Sequence, residues 1–434
     1  MEKHRHSVTL DKELCKGCTT CLRLCPTGAI RVQGGKAKIL KEKCIDCGEC
    51  IRVCPYHAKK AVTDEFEMTE NYKYKIALVP PAFYGQFSVA EDVNIILTAV
   101  LESGFDGVFE VAEGAREISE KTAELLKSGE LLRPAISSAC PAVLSLIAVR
   151  FPSLAGNIVP LKSPMEVAAK KARLEAMKKT GLSSSEIGVF FISPCAAKAT
   201  GVKDRMTVEK SEVDGVLSMK NVFLRIAKEV GKIKVPKSFN LAGRDGIKWA
   251  LSGGEAEGSG AEKTVSVDGI HNVIKIFEAI EDEKLKGVDF VEALACTGGC
   301  VGGPLTLENG FIAKSRLKRI CGKTEPCSKA ELSETLNYYW DYPVISRKVL
   351  NLDSDIEKAM EKMERIEKLC EELPGLDCGS CGSPGCRSLA EDIVLGYAEE
   401  TDCIFILKER IRDLAKEMVK LDLSYREKDD KKQR

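Results

Sequence analysis

Nineteen cysteines in a chain of 434 residues, against four histidines, constrain this sequence more than anything else in it. Eight of them form an internal repeat: Cys15-x2-Cys18-x2-Cys21-x3-Cys25-Pro26 recurs as Cys44-x2-Cys47-x2-Cys50-x3-Cys54-Pro55. A cubane iron–sulfur core needs four thiolates around a compact inorganic centre. A tight CxxCxxC loop delivers three of them, and the fourth arrives from the other half. The pattern assigns Cys15, Cys18, Cys21 and Cys54 to one 4Fe–4S cluster, and Cys44, Cys47, Cys50 and Cys25 to a second. Zinc is the competing metal, but its sites use separated CxxC pairs rather than paired runs of this kind. His57 reads as a surface residue beside the cluster.

The rest of the composition narrows the class. Lys plus Arg and Asp plus Glu both number 65, so there is no electrostatic footprint for nucleic acid or an anionic membrane. No apolar run approaches the roughly 18 residues of a membrane span. The opening MEKHRHSVTL lacks the apolar centre of a secretory signal. A cytoplasmic location is expected, and there a disulfide scaffold is a poor reason for so many thiols. Metal ligation is the better one.

Three textures follow one another along the chain. Residues 1–65 hold the cysteine repeat, with turn-forming Gly and Pro and short apolar runs. Residues 74–345 alternate short apolar runs, at 75–79, 107–111, 187–192 and 289–295, with amphipathic stretches at 91–103, 113–127 and 164–179. That predicts an α/β domain of buried parallel strands, doubly wound by helices. Pro164 after Ser163 is the order expected at a helix start. The segment AEGSGAE (256–262) reads as a surface loop. Residues 350–434 are predicted helical around a second cysteine-rich knot.

That knot, LPGLDCGSCGSPGC followed by RSLAEDIVLGYAEETDC, brings Cys378, Cys381, Cys386 and Cys403 within reach of one further 4Fe–4S site. Its glycines let backbone amides approach sulfur, which tunes reduction potential. The stretch resembles the small single-cluster 4Fe–4S domain of electron-transfer proteins. Cys370, in the helical setting RIEKLCEEL, reads as a packed thiol. Beyond it, Ile404, Leu407, Ile411, Leu414, Met418, Leu421 and Tyr425 recur at alternating three- and four-residue steps. This a/d-only seam is narrow for a core-facing helix and suits a homodimer contact as well as packing on its own domain. Residues 426–434 read as a charged, frayed tail.

Four more cysteines lie in the middle section. SSACPAV (137–143) carries Cys140, SPCAAK (193–198) carries Cys195, and ACTGGCVGGP (295–304) carries Cys296 and Cys300. Each segment follows an apolar run and so falls at the carboxyl end of an expected strand, where open α/β sheets bind ligands.

These three segments, in this order and behind a two-cluster ferredoxin repeat, resemble the three active-site motifs of the iron–iron hydrogenases, TSCCP, MPCxxK and ExxACxGGCxxGG. The resemblance covers residues 1 to about 345. It implies a two-lobed hydrogenase-type α/β domain behind a ferredoxin-like α+β domain, and a small helical 4Fe–4S domain after them. It also implies an H-cluster, a 4Fe–4S cubane joined through one cysteine to a two-iron unit carrying CO, cyanide and a bridging dithiolate amine. Carried over by position, Cys140, Cys195, Cys296 and Cys300 would hold the cubane, and Cys300 would be the bridge. Lys198 matches the motif lysine that hydrogen-bonds a cyanide. VPPAF (79–83) is similar to the family's APAVR loop, so Pro81 and Ala82 would line the pocket.

Three departures from the pattern bear on function. The first cysteine of TSCCP relays protons, and here it is Ala139, whose methyl has no exchangeable proton. The methionines of the second and third motifs are Ser193 and Leu294. Proton transfer needs titratable groups within hydrogen-bond reach. Glu292, four residues before Cys296, and Glu255 are the candidates. EVAEGAREISE (110–120) is similar to the stretch supplying the family's relay glutamates, but Lys121 stands where an acid is expected. Altered motifs with an extra C-terminal cluster resemble the sensory branch of the family. The expected function is slow, reversible H2 cleavage to protons and electrons, reporting to a redox or signalling protein. The alternative is a non-catalytic electron-transfer or cluster-assembly protein on the same scaffold. Cys321 and Cys327 receive no role.

Overall fold

The computed structural model describes residues 6–88, 92–204, 206–239, 241–326, 330, 332–347, 349 and 351–432. Cys327 and Glu91 lie outside the described residues. Two compact units form: Met1–Thr9, Cys44–Arg52 and Lys59–Arg347 in the first, and Leu10–Lys43, Val53–Ala58 and Lys348–Arg434 in the second. The cysteine repeat, expected as one domain over 1–65, is thus shared between them.

In the first unit, strands Gly107–Glu110, Tyr74–Val79, Ile187–Ser193 and Gly215–Ser218 pair in that order, all parallel. The apolar runs have one residue type on both faces because both faces are covered. Ala77, Val79, Phe190 and Ile192 enter one core with helices Val93–Glu102, Met219–Val230 and Gly310–Lys323. Their alternate neighbours Ile76, Leu78, Val189 and Phe191 enter another, against helix Pro164–Thr180. A second parallel sheet runs Thr264–Asp268, Phe290–Leu294, Ala135–Ile136. Phe290 and Ala135 pack there with Ile118 and Leu125 of helix Val111–Ser128.

Local chemistry sets the boundaries. Asp92 caps helix Val93–Glu102 by accepting from the Asn94 amide, and Pro164 opens its helix at the first turn. The expected strand over 107–111 ends at Glu110, because Val111 already begins a helix. The expected loop over 256–262 is corrected more substantially. Gly254–Gly258 is a short helix, with Glu255 and Ala256 buried. Its cause is tertiary: the Glu292 carboxylate accepts from the amides of Gly253 and Ala256, both at 2.9 Å.

The second unit contains the antiparallel pair Ile30–Gln33 and Lys36–Ile39, and helices Ile356–Glu372, Cys386–Val394 and Ile404–Lys432. The frayed tail expected after 425 is also corrected, since the helix continues to Lys432. Its Lys, Arg and Glu residues are good helix formers. No helix among the described residues is long and apolar enough to cross a membrane.

Candidate metal centre

The three middle cysteine segments do begin at strand ends. Ala135–Ile136 leads to Cys140, which stands at the N-terminus of helix Pro141–Arg150. Ile187–Ser193 leads through Pro194 to Cys195, at the start of helix Ala196–Lys203. Phe290–Leu294 leads to Cys296, and a 3-10 turn over Cys300–Gly302 follows. Between these two thiols the chain turns at Gly299, with φ of +101°. A β-carbon there would lie 2.5 Å from the Ala250 carbonyl oxygen, so no side chain is admitted.

All four thiols line one cavity of about 930 Å³, its open mouth included. Burial pushes the Cys195 thiol up to about 11 and the Cys300 thiol up to about 12, and Cys296 is raised as well. The charge of Cys140 raises each of them further. Four thiols facing one cavity, Cys296 buried and the other three half-buried, are a donor set that suits a thiophilic iron centre. The residues present therefore fit the cubane of the implied group.

The other expected residues fall in two places. Lys198, Pro81, Ala82, Ala139, Leu294 and Glu255 line the same cavity. Lys198 Nζ lies 3.4 Å from the Ala139 carbonyl and above the Phe191 ring, 5.9 Å from its centroid. Ser193 does not face the cavity group. Its hydroxyl accepts from the Cys195 amide at 3.0 Å and donates to the Cys195 carbonyl at 2.8 Å, bracing the turn that carries the thiol.

Glu255 accepts from Ser137 Oγ at 2.6 Å, and burial together with the neighbouring Glu292 pushes its carboxyl up to about 8. Glu292 is fully buried behind it, its carboxyl also raised by burial. The acids of 110–120 are engaged elsewhere. Glu110 accepts from Tyr84 and Glu117 from Lys171 and Tyr338, while Lys121 pairs with Glu124.

Two residues escaped sequence reasoning. Met165, opening the Pro164–Thr180 helix, places a thioether-bearing side chain in the cavity lining. Arg52, between Cys50 and Cys54, donates through Nη1 to the Gly302 carbonyl at 2.5 Å and through Nη2 to Glu49 at 3.0 Å. Its guanidinium acts electrostatically on both Cys47 and Cys296. Cys47 itself lines the cavity.

Of the remaining thiols, Cys44, Cys47 and Cys50 belong to the first unit and Cys25 to the second. Cys15, Cys18, Cys21 and Cys54 all belong to the second unit, where the Ala37 amide donates to Cys15 Sγ at 3.4 Å and the Ala58 amide to Cys54 Sγ at 3.3 Å. Cys381, Cys386 and Cys403 pack with Leu369 and Leu389, and Cys370 sits against the same group. Cys378 stands in the charge field of Cys381. Cys321 is buried in the main core.

Two parallel sheets with four thiols following their strand ends onto one cavity, together with cysteine-rich cluster segments, define an iron–sulfur oxidoreductase. The comparisons agree. The profile described as iron only hydrogenase large subunit, C-terminal domain, matches residues 73–234 and 222–304. A 4Fe-4S dicluster domain matches residues 7–55 and an Fe-S cluster profile residues 373–405. The chain belongs to the iron-only hydrogenase family.

It is 25% identical over 366 residues to the Periplasmic [Fe] hydrogenase large subunit of Nitratidesulfovibrio vulgaris, covering 69% of this chain and 86% of that one. It is 24% identical over 302 residues to Iron hydrogenase 1 of Clostridium pasteurianum, covering 55% of this chain and 51% of that longer protein. Among solved structures, a variant of [FeFe]-hydrogenase HydA1 from Chlamydomonas reinhardtii has a TM-score of 0.45 at 17% identity, covering 57% of this chain and 84% of that chain.

Proposed function

We propose that this chain is a slow hydrogenase of sensory type, cleaving H2 reversibly into two protons and two electrons. The observation that carries the reading is the convergence of Cys140, Cys195, Cys296 and Cys300 on one cavity that Lys198 also faces. In this reading the four cysteines would hold the cubane of an H-cluster, with Cys300 the ligand that would link it to the two-iron unit. That group, when bound, supplies the chemistry of H–H cleavage.

The chain's own residues do the rest. Lys198 presents a cation suited to a bound cyanide, held in place by the Ala139 carbonyl and the Phe191 ring. Pro81, Ala82, Leu294 and Met165 wall the cavity with apolar surface that limits water. Ala139 offers no proton where the family motif has a thiol, which is why turnover is slow. Ser137, Glu255 and Glu292 form the proton route in its place. Ser137 and Glu255 are hydrogen-bonded, and Glu255 carries its proton near neutral pH. Clusters that would be held by Cys15, Cys18, Cys21 and Cys54, by Cys44, Cys47, Cys50 and Cys25, and by Cys378, Cys381, Cys386 and Cys403 would carry the electrons away. A redox or signalling protein receives them.

The apolar replacement at Ala139 also favours a second reading, a cluster protein without catalysis. Iron quantitation together with exchange between D2 and solvent protons separates the two. The hydrogenase reading expects exchange in anaerobically matured protein and its loss in Cys300→Ala. Full cubane occupancy without exchange contradicts it.

A further inference from the structure

Within the second unit, the C-terminal cysteine knot is built directly onto the first half of the N-terminal repeat. Arg31, on the Ile30–Gln33 strand, clasps Asp392 of helix Cys386–Val394 with both arms of its guanidinium, Nε at 2.5 Å and Nη2 at 3.0 Å. Both residues are buried. Ser383 adds a hydroxyl to the same carboxylate at 2.8 Å, and the remaining guanidinium nitrogen donates to the Gly28 carbonyl at 2.7 Å. A buried pair held by further hydrogen bonds on both partners fixes geometry rather than adding much stability.

The backbones meet as closely. The Val32 amide donates to the Gly382 carbonyl at 2.9 Å, and a β-carbon on Gly382 would fall 1.9 Å from the Val32 carbonyl oxygen. Gly382 follows Cys381. On the other side of that loop, a β-carbon on Gly379 would touch the Leu22 side chain at 3.2 Å, and Leu22 follows Cys21. Arg23 already acts on Cys378 through its charge. The loop presenting Cys378 and Cys381 therefore lies against the Val32 backbone on one side and beside the Leu22 side chain, next to Cys21, on the other.

We propose that this contact is an electron-transfer junction: the cluster on Cys378, Cys381, Cys386 and Cys403 is wired in series to the cluster on Cys15, Cys18, Cys21 and Cys54. One electron leaves one cubane as the other gains one, with no bond made or broken and no proton moved. The Arg31–Asp392 pair positions the junction. The C-terminal knot is then a terminus of the internal wire, and its outer face is where a one-electron redox protein exchanges charge. The proposal rests on the two ligand assignments above and not on hydrogen chemistry.

Electron paramagnetic resonance of the fully reduced, full-length protein tests it. The signal of the C-terminal cubane is expected to be split or broadened by its neighbour. Cys18→Ala, which removes the neighbour alone, should return it to a simple isolated signal. Arg31→Leu combined with Asp392→Leu keeps the interface apolar and folded, and should weaken the same coupling while leaving the iron content unchanged. A C-terminal signal identical in the wild-type and Cys18→Ala proteins overturns the junction. A signal that survives Cys378→Ala overturns the ligand assignment on which the junction stands.

Discussion

Ser137 donates its hydroxyl to Glu255 at 2.6 Å, and the carboxyl it meets is one of the walls of the four-cysteine cavity. Burial and Glu292 hold that carboxyl at about 8, well above its unfolded value near 4.3. The folded state therefore binds the extra proton. Its stability from this group is complete below about pH 4 and falls as pH rises from there to about 8. Glu255→Gln should flatten that part of the stability profile in denaturant titrations, and it should remove the pH dependence of turnover near pH 8. An unchanged profile in both measurements contradicts the proton route.

Restoring a thiol beside this route is the complementary change. Ala139 lines the cavity, and its carbonyl accepts from Lys198 Nζ at 3.4 Å. Ala139→Cys should raise H2 turnover, with general acid–base assistance commonly giving about 100-fold or more. Turnover indifferent to the new thiol means that proton delivery does not limit the rate.

Arg52 places one positive charge in the field of both Cys47 and Cys296 while holding the Gly302 carbonyl. A cation near two anionic clusters favours their reduced states. Arg52→Met should lower the potentials of both, by tens of millivolts, in spectroelectrochemical titration. A shift in neither leaves Arg52 a purely structural clasp.

Helix Ile404–Lys432 keeps its seam in solvent: Ile411, Leu414 and Met418 are 56%, 59% and 70% exposed. So much apolar surface on one narrow stripe predicts a two-stranded contact with a second copy. Leu414→Asp should convert a dimer to a monomer in sedimentation, without loss of iron. A wild-type monomer, or a mass unaffected by the substitution, counts against it.

Thiol spacing made most of the site readable in one dimension, because cluster ligands arrive in short loops whose spacing the metal dictates. The strand ends were legible for a related reason. Runs such as 187–192 are apolar on every residue, which only a sheet covered on both faces requires. What stayed hidden depends on partners far along the chain. Nothing near Arg52 announces the Gly302 carbonyl, 250 positions away. The helix at Gly254–Gly258 looks like a loop until Glu292 is seen capping it. Ser193 reads as a change beside the cluster, yet its hydroxyl turns back onto the Cys195 backbone.

The infrared spectrum of anaerobically matured protein tests the central claim most directly. If Cys140, Cys195, Cys296 and Cys300 anchor an H-cluster, stretching bands of metal-bound CO and cyanide appear, and the cyanide bands move in Lys198→Met. Full cubane occupancy with no such bands contradicts the account.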